Sequence, residues 1–218
     1  MKFAIILSGC GQHDGSETQE TILTLLSLAQ ENISWEAFAP DIPQKQVINH
    51  RTRAREPQET RNVLTESARL VRGKIKPISE GKASAYDAIV LPGGMGAVTN
   101  LCNWADKGAD FSFDPQVKTF LQEAIKTQKP IGCICIAPVM IPALVSGATL
   151  TLGNDPNLAK DLQNLGCTHV NCSSSSIIID PQHKLVTTPA NMLSASIDEV
   201  YTGIHKLIKA LAELAGAP

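Results

Sequence analysis

The sequence predicts an α/β fold with a mostly parallel sheet covered on both faces. Strand-like and helix-like segments alternate from Phe3 to Leu214. The strand-like ones are short apolar runs that break into turns containing Gly, Pro or Ser. No linker, low-complexity tract or internal repeat interrupts residues 1–218, which read as one domain.

Phe3–Leu7 is the first apolar run, ended by the turn Ser8-Gly9-Cys10-Gly11. Ile22, Leu25, Leu26 and Ala29 then recur at helical spacing. Trp35–Ala39 reads as the second strand, closed by Pro40. Val63, Leu64, Ala68 and Val71 mark a helix that Thr60 or Asn62 would cap. Ala88–Leu91 is a strand running into Pro92-Gly93-Gly94-Met95-Gly96. Asp114-Pro115 opens a helix in the preferred cap-then-proline order, with Val117, Phe120, Leu121 and Ala124 on one face. Ile131–Ile134 is a buried strand that turns at Cys135, and Pro138 suits the first turn of a following helix. Thr149–Leu152 is strand-like and Leu158–Leu165 helical. Ile177–Asp180 and Leu185–Thr188 pair as a hairpin across Pro181-Gln182, and a last helix runs from about Ala195 to Leu214.

Composition is that of an ordinary globular chain, 43% apolar and 18% charged. A net charge of −2 gives no reason to invoke nucleic acid or an anionic membrane as partner. No apolar run approaches the ~20 residues of a membrane span. The first residues read as a strand, not a signal peptide. Six cysteines without a repeating spacing suggest reduced thiols in a cytoplasmic protein.

In a parallel sheet of this kind ligands sit beyond the carboxyl ends of the strands. Three loops with unusual chemistry leave those ends: Ser8–Glu20, Pro92–Thr99 and the turn at Cys135. Cys133 and Ala137, two before and two after Cys135, are small enough for a sharp strand–nucleophile–helix elbow. Such an elbow would expose the sulfur and aim a helix N-terminus at it, favouring a thiolate. The same residues also suit a buried structural cysteine. As a nucleophile, Cys135 would attack a carbonyl and need two N–H donors around the oxyanion. Ile136 and Gly94 are placed to supply them.

Glu17 and Glu20 open the first helix. A protonated carboxyl can donate to a thiolate, an ionised one raises a thiol pKa, and either can simply answer the helix dipole. Glu17 follows Gly15-Ser16 directly and lies nearer the strand end. His13, in the first loop, and Asn154, beside Asp155, are accessory candidates. His169 stands between Cys167 and Cys172, but no second paired element completes a metal site, so no metal is expected. His183 and His205 suit structural places. The run His50-Arg51-Thr52-Arg53-Ala54-Arg55 reads as a solvated loop in preference to an anion-attracting patch.

The elbow Gly-Cys-Ile-Cys-Ile-Ala-Pro, the turn Leu-Pro-Gly-Gly-Met-Gly-Ala and the first-loop glutamate resemble the PfpI/ThiJ superfamily, which shares the class I glutamine amidotransferase fold. Asp14-Gly15-Ser16-Glu17, Val47-Ile48-Asn49-His50 and Thr187-Thr188-Pro189-Ala190 look more specifically like the ElbB family of isoprenoid-biosynthesis proteins with an amidotransferase-like domain. The likeness spans nearly the whole chain. It implies a flavodoxin-like sandwich, commonly a homodimer. It also implies Cys135 as nucleophile, Glu17 as the carboxyl partner of its thiol, and Gly94 and Ile136 as oxyanion donors. ElbB proteins are described as glutathione-independent glyoxalases, with a link to protein deglycation. Many relatives carry histidine directly after the cysteine where this chain has Ile136, and amidotransferases proper need a downstream His–Glu pair that cannot be placed here. The resemblance therefore points away from peptidase or glutamine hydrolysis and towards a cofactor-independent enzyme acting on glyoxal. A regulatory protein sensing a metabolite or oxidant through Cys135, and a hydrolase of another acyl substrate, are the alternatives.

Overall fold

β1 (Lys2–Ile6) is buried after its first residue and sits mid-sheet, as an uninterrupted apolar run should. The computed structural model describes residues 1–193 and 195–216. α1 (Thr18–Gln30) leads from β1 to β2 (Ser34–Ala39), and α2 (Val63–Leu70) leads on to β3 (Ile75–Pro77). β4 (Ala88–Leu91) is followed by short helices α3 (Met95–Thr99) and α4 (Trp104–Lys107), then by α5 (Pro115–Lys126) and β5 (Ile131–Ile134). β6 (Thr149–Leu150), α6 (Pro156–Asn164) and β7 (Thr168–His169) precede the hairpin β8 (Ile178–Asp180) and β9 (Leu185–Thr188), and α7 (Ile197–Leu214) closes the chain.

Seven strands form one sheet in the order β3-β2-β1-β4-β5-β9-β8, parallel except for β8 against β9. This bears out the α/β class with a mostly parallel sheet and its flavodoxin-like layering. From β1 the chain moves outward through β2 and β3, and from β4 it moves the other way to β5. Right-handed crossovers therefore put α1 and α5 on opposite faces. The reversal between β1 and β4 is the switch point where such sheets open a crevice.

β4, β5 and β9 are buried at every residue. Each fully buried Leu, Ile or Val there stabilises the fold by about 1.5–3 kcal/mol over its exposed state. α7 lies directly on β5: a Cβ at Gly132 would come within 2.7 Å of Leu211. α1 packs beside α7.

Caps explain the helix starts. Asn62, not Thr60, caps α2 by accepting from Thr65 N–H at 2.9 Å. Asp114 and Asp155 cap α5 and α6 ahead of Pro115 and Pro156, and Ser196 with Glu199 forms a capping box on α7. β3 carries no sequence signal, since it is a three-residue edge strand ending in a proline. β6 and β7 pair with each other outside the main sheet. No helix among the described residues is long and apolar enough to cross a membrane.

Candidate active site

Cys135 has φ +62°, a left-handed backbone that residues with a side chain rarely adopt. Its N–H donates to the Thr188 carbonyl at the end of β9, 2.9 Å away, which locks the turn. The next residues, Ala137–Ala143, form a 3-10 helix and not the expected α-helix. Pro142 in their midst has no N–H to give and its ring crowds the preceding turn. The pull on the sulfur comes instead from two single amides: the Gly94 and Ile136 N–H groups lower the thiol pKa. Those are the two donors expected from the sequence, and the fold brings both to the thiol.

Gly94 must be glycine. Its φ is +94°, and a Cβ would lie 2.3 Å from the Gly15 carbonyl oxygen. The first loop packs on the glycine-rich turn through that contact. Glu17 N–H donates to the Gly93 carbonyl (2.8 Å), Met95 N–H to Gln12 (2.8 Å) and Gly96 N–H to Gly15 (2.9 Å).

The carboxyl that meets the thiol is Glu20, where the sequence pointed to Glu17. Glu20 is completely buried. Its Oε2 accepts from Gly93 N–H at 2.9 Å, its Oε1 from Asn191 N–H at 3.3 Å, and it lies beside the Cys135 thiol across Gly93. Glu17 is the N-cap of α1, accepting from Glu20 N–H at 2.7 Å and from Asn191 Nδ2 at 3.3 Å. Glu17 has the extended backbone of an N-cap and turns its carboxyl back onto the Glu20 N–H, whereas Glu20, inside the first turn, reaches inward to Gly93.

Burial pushes the Glu20 carboxyl up to about 8, with the nearby Glu17 charge adding to the effect. The carboxyl is therefore mostly neutral at pH 7 and able to donate a proton. Burial also pushes the Cys135 thiol well up, and an ionised Glu20 would push it further, while the Gly94 and Ile136 amides pull it down. The two groups titrate as a pair.

A 260 Å3 cavity opens on Cys135, and His13, Glu17, Gly94, Ile136 and Asn191 are part of its wall, while Glu20 lies behind it. His13 thus lies where the sequence placed it. Asn154 does not: it is exposed, one residue before the Asp155 cap of α6, and lines no wall of the cavity. Asn191, which touches both glutamates, was missed because nothing local marks it. Its backbone follows Ala190, itself at φ +44°.

His169 Nε2 accepts from Leu152 N–H at 3.1 Å, and burial lowers its pKa, which suits a neutral structural ring. His183 pairs with Asp180 at 2.8 Å and His205 with Glu31 at 3.3 Å. No group of three or more His, Cys, Asp or Glu able to hold a metal occurs among the described residues. Residues 50–55 form an exposed loop.

No family model matches the chain. It is 36% identical over 224 residues to the rat "ES1 protein homolog, mitochondrial", covering 99% of this chain and 84% of the relative. Identity and coverage are the same for the human "glutamine amidotransferase-like class 1 domain-containing protein 3, mitochondrial". Among solved structures, an isoprenoid biosynthesis protein with amidotransferase-like domain from Ehrlichia chaffeensis superposes with a TM-score of 0.90 at 32% identity, covering 98% of this chain and 99% of that one. Drosophila melanogaster DJ-1beta shares the fold, with a TM-score of 0.58 at 20% identity over 99% of this chain and 91% of that one.

Proposed function

Because the chain belongs to the family of ES1 and glutamine amidotransferase-like class 1 domain proteins, we propose that its cysteine site works as a glutathione-independent glyoxalase. The substrate would be glyoxal or another small reactive dicarbonyl, and the product the 2-hydroxy acid. One observation carries this reading: a thiol on a strained elbow, touched by a neutral carboxyl and two amide donors, at the floor of a small cavity.

The chemistry balances without a redox partner. Cys135 Sγ adds to one aldehyde carbon and the proton goes to its oxygen, giving a hemithioacetal. Gly94 and Ile136 N–H groups hold that oxygen as it gains charge. The proton on the sulfur-bearing carbon leaves, and a proton arrives on the neighbouring carbon. The hemithioacetal thereby isomerises through an enediol to a thioester of glycolate. Glu20, in the fraction of molecules where it is ionised, is the group beside the thiol that takes this proton and returns it. Water then cleaves the thioester, so glyoxal plus water gives glycolic acid and the free thiol.

The finer placement in the ElbB family, a homodimeric state and a cytoplasmic setting belong to the same proposal. The likeness to the Ehrlichia protein and six cysteines that are all free support the first and the last. Light scattering on the purified protein tests the second. The rat and human relatives carry "mitochondrial" in their names, so fractionation of cells should decide the compartment.

The test is glycolate formation over a glyoxal concentration series, wild type against Cys135→Ser. Saturable multiple turnover lost in the variant is expected. Consumption that stops after one equivalent would instead make Cys135 a sensor.

A further inference from the structure

We infer that the Cys135 site has a second compartment, built to hold the hydroxylated tail of a dicarbonyl longer than glyoxal. This rests on the glyoxalase-type reading and extends it to the substrate class of polyhydroxylated 2-oxoaldehydes.

A second cavity of 580 Å3 adjoins the one over Cys135, and Gln12, Glu17 and Asn191 belong to the walls of both. The inner chamber presents Met95, Ile136 and Met192 beside the sulfur. Beyond the shared residues the wall turns polar, with Thr18, Gln19 and His50. Its apolar part is only Leu193 and Ala195 among the described residues. Glyoxal, with two carbons, is used up in the inner chamber. From the third carbon onward a substrate bound at Cys135 must pass Glu17 and Asn191 into the polar groove.

The groove is a formed wall. Thr18 and Gln19 stand on the first turn of α1, which Glu17 caps. His50 is fixed at both ring nitrogens, Nδ1 donating to the Ile48 carbonyl (3.0 Å) and Nε2 accepting from His13 N–H (3.2 Å). The fully buried Asp14 lies behind it, with Oδ1 3.7 Å from Nε2. Hydroxyl groups can exchange their water partners for the Thr18 hydroxyl and the Gln19 and Asn191 amides. An alkyl tail would strip water from those groups and return nothing. The reaction is unchanged in form: R–CO–CHO plus water gives R–CHOH–COOH, with the tail as a spectator.

Two six-carbon 2-oxoaldehydes, a 3-deoxyosone and 2-oxohexanal, separate tail polarity from tail length. The wild type should favour the hydroxylated compound by about tenfold in kcat/KM. Thr18→Val/Gln19→Leu should reduce that preference to about twofold or less. In parallel, Cys135→Ser protein is titrated calorimetrically with the corresponding six-carbon 2-hydroxy acids, hydroxylated and alkyl. The hydroxylated acid should bind about tenfold tighter, and the double change should remove the difference. Equal or better binding of the alkyl acid, no binding of either, or a preference that survives the double change would overturn the inference. A binding preference intact in a protein that turns over neither aldehyde would keep the subsite and refute the glyoxalase reading.

Discussion

Glu20 and Cys135 meet across the backbone of Gly93. Glu20 comes from the helix after β1 and Cys135 from the end of β5, with β4 between them in the sheet. Gly93, just past β4, donates its N–H to Glu20 Oε2, and a Cβ there would lie 2.3 Å from the Cys135 Cβ and 2.9 Å from its sulfur. The missing side chain is the space in which acid and thiol touch.

Gly93→Ala should therefore damage both fold and site. Overpacking against Cys135 and Glu20 Oε2, 2.7 Å from the added carbon, costs about 1–3 kcal/mol. Displacing the pair by a fraction of an ångström should lower glycolate formation by roughly 100-fold. Denaturant midpoints and initial rates on the same preparation measure the two effects. An alanine variant with wild-type rate would show that the close approach of Glu20 is irrelevant to the chemistry.

The two glutamates should separate cleanly. Glu20→Gln keeps the shape but cannot carry a proton, and a fall in kcat of roughly 100-fold or more is expected. Glu17→Ala removes a helix cap, for about 1 kcal/mol of stability, with a much smaller loss of rate. The reverse order of effects would return the proton-transfer role to Glu17.

Thiol reactivity should follow the pair. With Glu20 near 8, the carboxyl loses its proton around that pH and its charge then pushes the thiol further up, so alkylation of Cys135 by iodoacetamide should be held back through pH 8 and rise only above it. In Glu20→Gln that restraint should be gone, so alkylation should begin at lower pH with the thiol titrating alone. An unchanged profile would exclude coupling between the two groups.

Stability should carry the same signature. The folded protein keeps a proton on Glu20 that the unfolded chain releases near its ordinary value of 4.5, and holds it to about 8. Between those values the native state binds more protons, so stability falls as pH rises. Glu20→Gln should flatten this slope and melt several degrees higher than wild type at pH 8, relative to pH 5, since one kcal/mol shifts Tm by about 2–4 °C in a domain of this size. Parallel melting curves for both proteins at the two pH values would contradict the burial of an uncharged acid.

Much of this molecule was written in short-range pattern. Apolar runs such as Phe3–Ile6 and Ala88–Leu91 announce buried strands, and Asp114-Pro115 announces a helix start, because both depend on neighbours a few residues away. The elbow at Cys135 and the turn at Gly94 were legible for the same reason: each needs particular small residues at fixed offsets. The sequence determined by itself the class of the fold and the cysteine around which a site could form.

Tertiary structure decided which groups reach that cysteine. Glu20 and Asn191 are 171 positions apart, yet they share a hydrogen bond that exists only once β1 and β9 stand in one sheet. Proximity along the chain favoured Glu17, while the turn of α1 and burial beneath Gly93 chose Glu20. Asn154 looked close to the elbow in sequence, but the β6–α6 connection carries it to the surface. A carboxyl becomes an acid at neutral pH only where the assembled core excludes water from it, and no local pattern encodes that exclusion.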